Sequence, residues 1–518
     1  MAAGAVPRRA GHRRGCDRAR TGRGRIGGVV FDLAIIGGGA AGASLLVHLL
    51  NAADDAEPRI RSVAVVDPGE PGRGLAFARP EPYVLCNTSV AVNTVNPTDP
   101  AHFERWLRSH PDRCHQWGWT CTDVHPSAFV PRGLYSDYLA DQLHAALRRG
   151  RQRGIGVDHI RACATSIHTE DSGTVIHTPR GRTIRARRAV VCSGLGTSSA
   201  TAHREAAADG LLRAVYDIPS YREFVPATGT VVVLGTRQSA VDAALLVAGT
   251  QPDVRIAMMS PSGRFPAART SMVEVPGEWF TTDHLLAAGS AAPGELVRRW
   301  AMLLRAEGAP HAAVERAPRH ADLDGVDLLA DDLARTTAGR QAWEIVVPNA
   351  LTVANEVWPT MAPAQRAAIR QAFTGLLRRY AAALPARNAE RICHLAEEGR
   401  LWVTRGPRRW RRTRRHLEFE DAEGRVIRAD RAVDATGLTA FGRVRGLAVE
   451  GRSLQAAAAA VDPVSLEAAP GIHLLGPPLG DTFAVNNYAN ATHRQAARLA
   501  EHLTAGNDAN RYRGAQAW

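Results

Sequence analysis

Residues 33–42 read Leu-Ala-Ile-Ile-Gly-Gly-Gly-Ala-Ala-Gly, and Asp67 closes the next apolar run, Val63-Ala-Val-Val66. An apolar strand, a Gly37-x-Gly39-x-x-Gly42 turn and a helix make the arrangement that a pyrophosphate needs. Gly37 permits the tight turn, Gly39 lets backbone approach the phosphates, and Gly42 lets the helix pack on the strand. The helix N-terminus then offers unpaired N–H groups and the positive end of its dipole to the anion. Asp67 stands where an acid accepts from a ribose hydroxyl. Strand, turn, helix and acid together point to a dinucleotide site. A glycine-rich turn without a ligand would need only the turn.

A second unit of the same kind begins at Thr230. Val231-Val-Val-Leu234 reads as a buried strand, Gly235-Thr-Arg-Gln-Ser-Ala240 turns into a helix, and Val254-Arg-Ile-Ala-Met258 follows as the next strand. Arg237 replaces the second glycine. Its Cβ crowds a pyrophosphate, while its guanidinium can pair with one. No acid ends this second strand. The chain continues Ser260-Pro-Ser262-Gly-Arg264, with Arg269 beyond. Hydroxyls and arginines suit a 2′-phosphate where an acid would suit a free ribose hydroxyl, so NADPH is expected rather than NADH.

Two apolar runs, Ala189–Gly194 and Ala432–Gly437, read as strands returning to these units. Helical periodicity runs through 293–307, 363–381 and 386–397. The segment 280–400 is too long for a loop and reads either as a helical cap over a pocket or as an insertion with no contact to the site. Ile472–Gly476 is a last short strand, and 491–504 a last amphipathic helix. The expected fold is α/β: two Rossmann-like dinucleotide-binding domains, the second inserted in the first, plus the helical insertion. The expected boundaries are an Arg-rich extension 1–28, the first domain at 29–228, the second at 229–425 with the insertion 280–400, the return of the first at 426–506, and a tail 507–518.

Composition narrows the chemistry. The chain has 518 residues and 45% hydrophobic content, enough for more than one core. No run approaches the ~20 apolar residues of a membrane helix. Seven scattered cysteines without a CxxC pair suggest a reducing, cytoplasmic setting and no dithiol centre. Cys114 and Cys121 lie among His110, His115 and His125 at a spacing that fits no usual zinc pattern. All 64 basic residues are arginine, which excludes Schiff-base and Walker-lysine chemistry. The net charge of +13 sits in two clusters, residues 1–25 and 405–415. The second, interleaved with Trp410, could face nucleic acid, but a solvated hairpin accounts for it more simply.

The motifs resemble the two-dinucleotide-binding-domain flavoproteins. Among them the chain most resembles the bacterial FAD/NAD(P)-binding group related to the flavin-dependent N-hydroxylating monooxygenases of the lysine and ornithine type. The resemblance rests on Gly72-Arg-Gly-Leu-Ala-Phe77, Leu85-Cys-Asn87, Asn96-Pro-Thr-Asp-Pro100 with Phe103-x-x-Trp106-Leu107, and Pro131-Arg132-x-x-Tyr135-x-x-Tyr138-Leu139. Gln238-Ser239-Ala240 and Asp242 match in the second unit. The likeness covers residues 31–275 and 425–505.

It implies FAD on the first loop, with Arg73 and Gly476 also against the cofactor, and NADPH on Gly235, Gln238, Ser239, Ser260 and Arg264. It also implies transfer of one oxygen atom from O2 to a nucleophile, here read as a small amine or amino acid. From the residues themselves, Asn87 is the candidate beside the reacting oxygen, with a turn-capping asparagine as the alternative, and Asn486 and Asn487 are candidates for substrate contact because amides can fix an amino or carboxyl group, with an Asn-rich turn as the alternative. Three features depart from the pattern. Arg237 is one; Gly476 is followed by proline, with Gly480-Asp481 four residues on, is another. The third is Asn486-Asn-Tyr-Ala-Asn490, where the N-hydroxylases carry a histidine and serine pattern. Two other readings stay open: a flavin dehydrogenase or oxidase without oxygen transfer, and a non-catalytic flavin-binding protein.

Overall fold

The computed structural model describes residues 30–505 except 53–57, 180, 195–209, 213–214, 217–220, 290, 310–324, 438–446 and 487. The Arg-rich extension, the tail and Asn487 therefore lie outside the described residues.

β1 (Val30–Ile36) is apolar on both faces and takes the centre of a large sheet. It pairs in parallel with β2 (Ser62–Val66) on one side and with the strand Thr183–Val191 on the other. Gly156–Ile160 extends the sheet beyond β2, and Ile472–Leu474 pairs in parallel with Thr183–Val191. The last strand of the chain thus returns to the first sheet, as the sequence implied. α1 (Ala40–Ala52) packs on this sheet between the helix Arg132–Gln152 and the C-terminal helix Ala489–Thr504. Leu45, Leu46, Leu143, Leu499 and Leu503 close that core.

The second sheet is wholly parallel among its described strands. Its order is Leu401–Arg405, Val254–Ser260, Gly229–Leu234, Arg431–Asp434, Leu211–Leu212. Two expected boundaries move here. Val426–Ala429 belongs to an antiparallel ribbon with Leu417–Glu420 and Arg409–Arg412, and Arg431–Asp434 lies beside Gly229–Leu234. The return to the first unit therefore begins after 437, not at 426. Leu211–Leu212, expected in the first unit, joins the second. The reason is physical: an apolar run ending in glycine can flank either central strand, and only pairing decides which.

Residues 282–397 are largely helical, as expected. Pro293–Ala306, Trp343–Val357 and Pro363–Leu376 bury Trp300, Val347 and Phe373 in a core of their own. The run expected as one helix over 363–381 is α-helical to Leu376 and then widens to a π turn at Leu377–Ala381. Ala386–Glu397 packs its Ala389, Ile392 and Leu395 into the second unit. The insertion is docked, not isolated. Trp358 Nε1 donates to the Asp481 carbonyl at 3.1 Å, and Asn355 bonds both the N–H and the C=O of Val485. No helix among the described residues is long and apolar enough to cross a membrane.

Candidate nucleotide and substrate site

The first loop is built as its glycines require. Gly37 has φ +102°, and a Cβ there would stand 2.3 Å from the Cys192 carbonyl oxygen. A Cβ on Gly42 would stand 2.0 Å from the Gly37 oxygen, so only glycine lets α1 meet the turn. Gly39 differs. Its nearest atom is the Gly74 Cα at 3.5 Å, so the space beside it would be filled by a side chain without touching the fold. Gly72 N–H donates to the Gly38 carbonyl at 2.8 Å and brings the Gly72-Arg-Gly74 loop over the start of α1. Asp67 accepts from Gly38 N–H at 2.6 Å and from Gly69 N–H at 2.7 Å, which holds its carboxylate at the end of β2 beside the turn. The open cradle, the helix N-terminus and the fixed acid fit FAD.

Arg73 reaches Asp137 on the helix Arg132–Gln152 at 3.2 Å, so its guanidinium is held beside the loop. Gly476 has φ +72°, and a Cβ there would stand 3.4 Å from the Ala41 methyl at the start of α1, where the returning chain meets the first loop. Asp481 does not follow it there. Its carboxylate turns outward to pair with Arg370.

The second loop repeats the first. Gly235 has φ +119°, and a Cβ would stand 2.6 Å from the Ala435 carbonyl oxygen. Ala435 thus plays the part of Cys192, and the Ala240 methyl stands where the first unit needs Gly42. Arg237 is exposed at the N-cap of the helix Gln238–Thr250. Partial burial and the nearby Arg378 guanidinium pull its pKa below the ordinary arginine value. Gln238 Nε2 donates to the Ala382 and Ala383 carbonyls at 3.0 and 2.7 Å, so it ties the π turn to this loop. Ser239 is half-buried in the helix's first turn.

Ser260 and Arg269 depart from expectation. The Ser260 hydroxyl is buried and accepts from Thr236 Oγ1 at 3.0 Å and Gly263 N–H at 3.1 Å. It braces the loop, and Ser262 and Arg264 are the side chains left on the exposed edge. Arg269 is not on that edge either. It lies in the short strand Ala268–Arg269, paired with Leu384–Pro385, and is wholly buried.

The segment after Arg269 crosses toward the first unit. Ser89 Oγ donates to the Met272 carbonyl, and Ser127 and Ser271 share a hydrogen bond of 2.9 Å. Val92, Phe129, Met272, Tyr488 and Ala491 form one apolar cluster there. Asn87 lies two residues before Ser89, half-buried and without a side-chain hydrogen bond among the described residues. Asn486, expected to face a substrate, is engaged instead. Its Nδ2 donates to the Gly480 carbonyl, and its Oδ1 accepts from Gln495 at 3.4 Å. An asparagine at a turn satisfies neighbouring backbone first.

Sequence reasoning missed two features, one half-buried and one buried. Glu274 gathers Tyr488, Asn490, Thr352 and Arg494 from the insertion and the C-terminal helix. Glu344 accepts from Thr270, Ser271, Thr336 and Gln341 and fixes the crossing segment to the insertion. Both sit in segments whose local sequence carries no turn or motif signal.

Residues 34–196 match the family described as FAD-NAD(P)-binding. No curated protein matches the chain by sequence. Solved structures match over nearly its whole length. The ornithine hydroxylase of Pseudomonas aeruginosa superposes with a TM-score of 0.54 at 14% identity, covering 92% of this chain and 99% of that one. The chain shares the fold of that protein. An Erwinia amylovora cadaverine monooxygenase bound to FAD gives 0.53 at 13%, covering 92% and 95%. A Kutzneria sp. 744 ornithine N-hydroxylase, with reduced FAD, NADP+ and L-ornithine, gives 0.50 at 13%, covering 92% and 99%. The Gly37–Gly42 loop lies within the matched family region.

Proposed function

We propose that the protein is an FAD- and NADPH-dependent monooxygenase that N-hydroxylates a small polar amine or amino acid. The observation that carries this reading is the pairing of two dinucleotide loops beneath one docked helical insertion. The fold that holds them is shared over 92% of the chain with an ornithine hydroxylase and a cadaverine monooxygenase. When bound, the flavin and nicotinamide would supply hydride transfer and oxygen activation.

The chain's own part is to bind, orient and exclude water. Gly39 and the first amides of α1 hold the FAD pyrophosphate, with Asp67 on the ribose and Arg73 and Gly476 flanking. Arg237 and Arg264 take the phosphates of NADPH, with Gln238 and Ser239 at the helix start. The Val92–Phe129–Met272–Tyr488 cluster keeps water from the junction, and Asn87 offers a half-buried amide there. The substrate is a small molecule used together with O2, and the protein works in the cytoplasm.

Arg237 in place of glycine favours a second reading, a flavin-binding protein that does not take NADPH. Rapid mixing of the oxidised holoenzyme with NADPH separates the two. Bleaching of the flavin supports the enzyme, and an unchanged flavin spectrum supports the second reading.

A further inference from the structure

The two dinucleotide units correspond position by position through their hydrogen bonds. In the first, Gly37 N–H donates to the Val66 carbonyl at 3.0 Å, and Val66 pairs with Ile160 on the next strand out. In the second, Gly235 N–H donates to the Met259 carbonyl at 2.6 Å, and Met259 pairs with Thr404 on the next strand out. Ser260 follows Met259 as Asp67 follows Val66, so Ser260 stands at the ribose position of its unit. Its hydroxyl is already taken by Thr236 and Gly263.

The neighbouring strand brings a cation to this position. Ser260 and Arg405 are register partners at the carboxyl ends of two parallel strands, where open α/β sheets bind their ligands. Gly406 N–H donates to the Ser260 carbonyl at 2.9 Å, and a Cβ on Gly263 would stand 3.0 Å from Arg405 Cγ. Arg405 is thus packed on the loop that carries Ser262 and Arg264. It is also the first of the seven arginines in the 405–415 cluster. Arg409 and Arg411 pair across the antiparallel ribbon, with Glu420 and Glu418, while Arg405 ends a strand of the parallel sheet. The Arg405 side chain is 61% exposed and meets Glu423, 40% exposed, at 2.6 Å. That pair is not needed to fasten the ribbon. Ala422 N–H donates to the Arg405 carbonyl and Arg408 N–H to the Glu420 carbonyl, both at 2.8 Å. An exposed ion pair is weak, and a phosphate offers the guanidinium more charge and a bidentate face.

We infer that Arg405 is a specificity-determining residue for the nicotinamide nucleotide, leaving Glu423 to take the 2′-phosphate beside Arg264. This rests on the proposed use of NADPH. Glu423 is then the competitor that limits how tightly the phosphate is held.

The test reads binding without turnover, by calorimetric titration of the oxidised, FAD-loaded protein. The probes are 2′,5′-ADP and 5′-AMP, which differ only in the 2′-phosphate. The wild type should prefer 2′,5′-ADP by about tenfold or more. Arg405→Gln should cut that ratio by about threefold or more and leave 5′-AMP affinity unchanged. Glu423→Gln should raise the ratio. Combining the two substitutions should not restore it, which separates a guanidinium contact from net charge. Arg411→Gln removes the same charge from further along the ribbon and should leave the ratio at its wild-type value. A ratio that survives Arg405→Gln, or that falls equally in Arg411→Gln, overturns the assignment. Binding of neither nucleotide by the wild type overturns it together with the NADPH reading. Failure to oxidise any amine, with the predicted ratios intact, would count against N-hydroxylation and not against Arg405.

Discussion

Arg132 Nη2 lies 2.7 Å from Asp242 Oδ2, and this buried pair joins the first dinucleotide unit to the second. The Tyr216 hydroxyl donates to the same carboxylate oxygen and accepts from Arg132 Nη1 at 2.9 Å. Arg132 Nε also donates to the Leu85 carbonyl at 3.0 Å, so the strap leading to Asn87 is tied to the helix of the second unit. This polar knot is one of the links that set the two glycine loops relative to one another.

Removing one member of a buried pair strands the other's charge. Asp242→Ala should therefore cost about 3–5 kcal/mol, whereas Arg132→Met combined with Asp242→Leu should recover most of that loss. Denaturant unfolding of the three proteins checks this. A single variant within about 1 kcal/mol of wild type, judged against that expected range, would show that the knot is not what joins the units.

The glycines of the first loop should separate into two kinds. A Cβ at Gly39 would stand no closer to the fold than 3.5 Å, from the Gly74 Cα, so Gly39→Val should fold and lose its flavin. Gly42→Ala must move the Gly37 carbonyl, 2.0 Å away, so it should lose stability as well as flavin. Visible flavin absorbance and thermal melts of the purified variants distinguish the two. Full flavin content in Gly39→Val would refute the cradle.

Nucleotide preference should follow the exposed edge of the second loop. Arg264→Ala should reduce the preference for NADPH over NADH about ten- to a hundredfold, from a charged hydrogen bond of about 1.5–3 kcal/mol. Ser260→Ala should leave the preference alone and loosen the loop that its hydroxyl braces. Flavin-reduction rates with the two nucleotides measure both. A Ser260→Ala variant with the larger change in preference would restore the role read for that serine from sequence.

His493 makes stability depend on pH. Burial first, and then the nearby His48, pull its pKa from 6.5 to about 3, and its nitrogens serve Tyr135 at 2.7 Å and Ser44 at 2.8 Å. The folded protein keeps this ring neutral, while the unfolded chain protonates it below about 6.5. Stability should therefore fall as pH drops from about 6.5 toward 3, by up to about 1.4 kcal/mol per pH unit from this residue. His493→Gln should flatten that slope in unfolding curves taken across the window. An unchanged slope would place the titration elsewhere.

Much of this architecture is legible in the chain because its signals are local. Gly37, Gly39, Gly42 and Asp67 are separated by one strand and one helix, and each obeys a steric rule that involves its immediate neighbours. Gly235 and Ala240 follow the same logic with one substitution. The 425/426 boundary was not legible, because the run Ala432–Val433 could pair with either central strand. Asn486 looked like a substrate amide, yet a turn carbonyl six residues earlier claims it. Ser260 looked exposed in the string, and Thr236 draws it inward. Arg269 and Glu274 acquire their surroundings, and Glu344 its Thr270 and Ser271 partners, from segments more than seventy residues away, and no spacing within the sequence records that.

The central claim is oxygen transfer to nitrogen, and isotope-labelled oxygen gas tests it most directly. Holoenzyme supplied with NADPH and a panel of amines and amino acids under labelled O2 should give a hydroxylamine, or a further oxidised nitrogen product, that carries the label. NADPH consumption should match product. Label-free product, or NADPH oxidation that yields only hydrogen peroxide across the panel, would contradict the account.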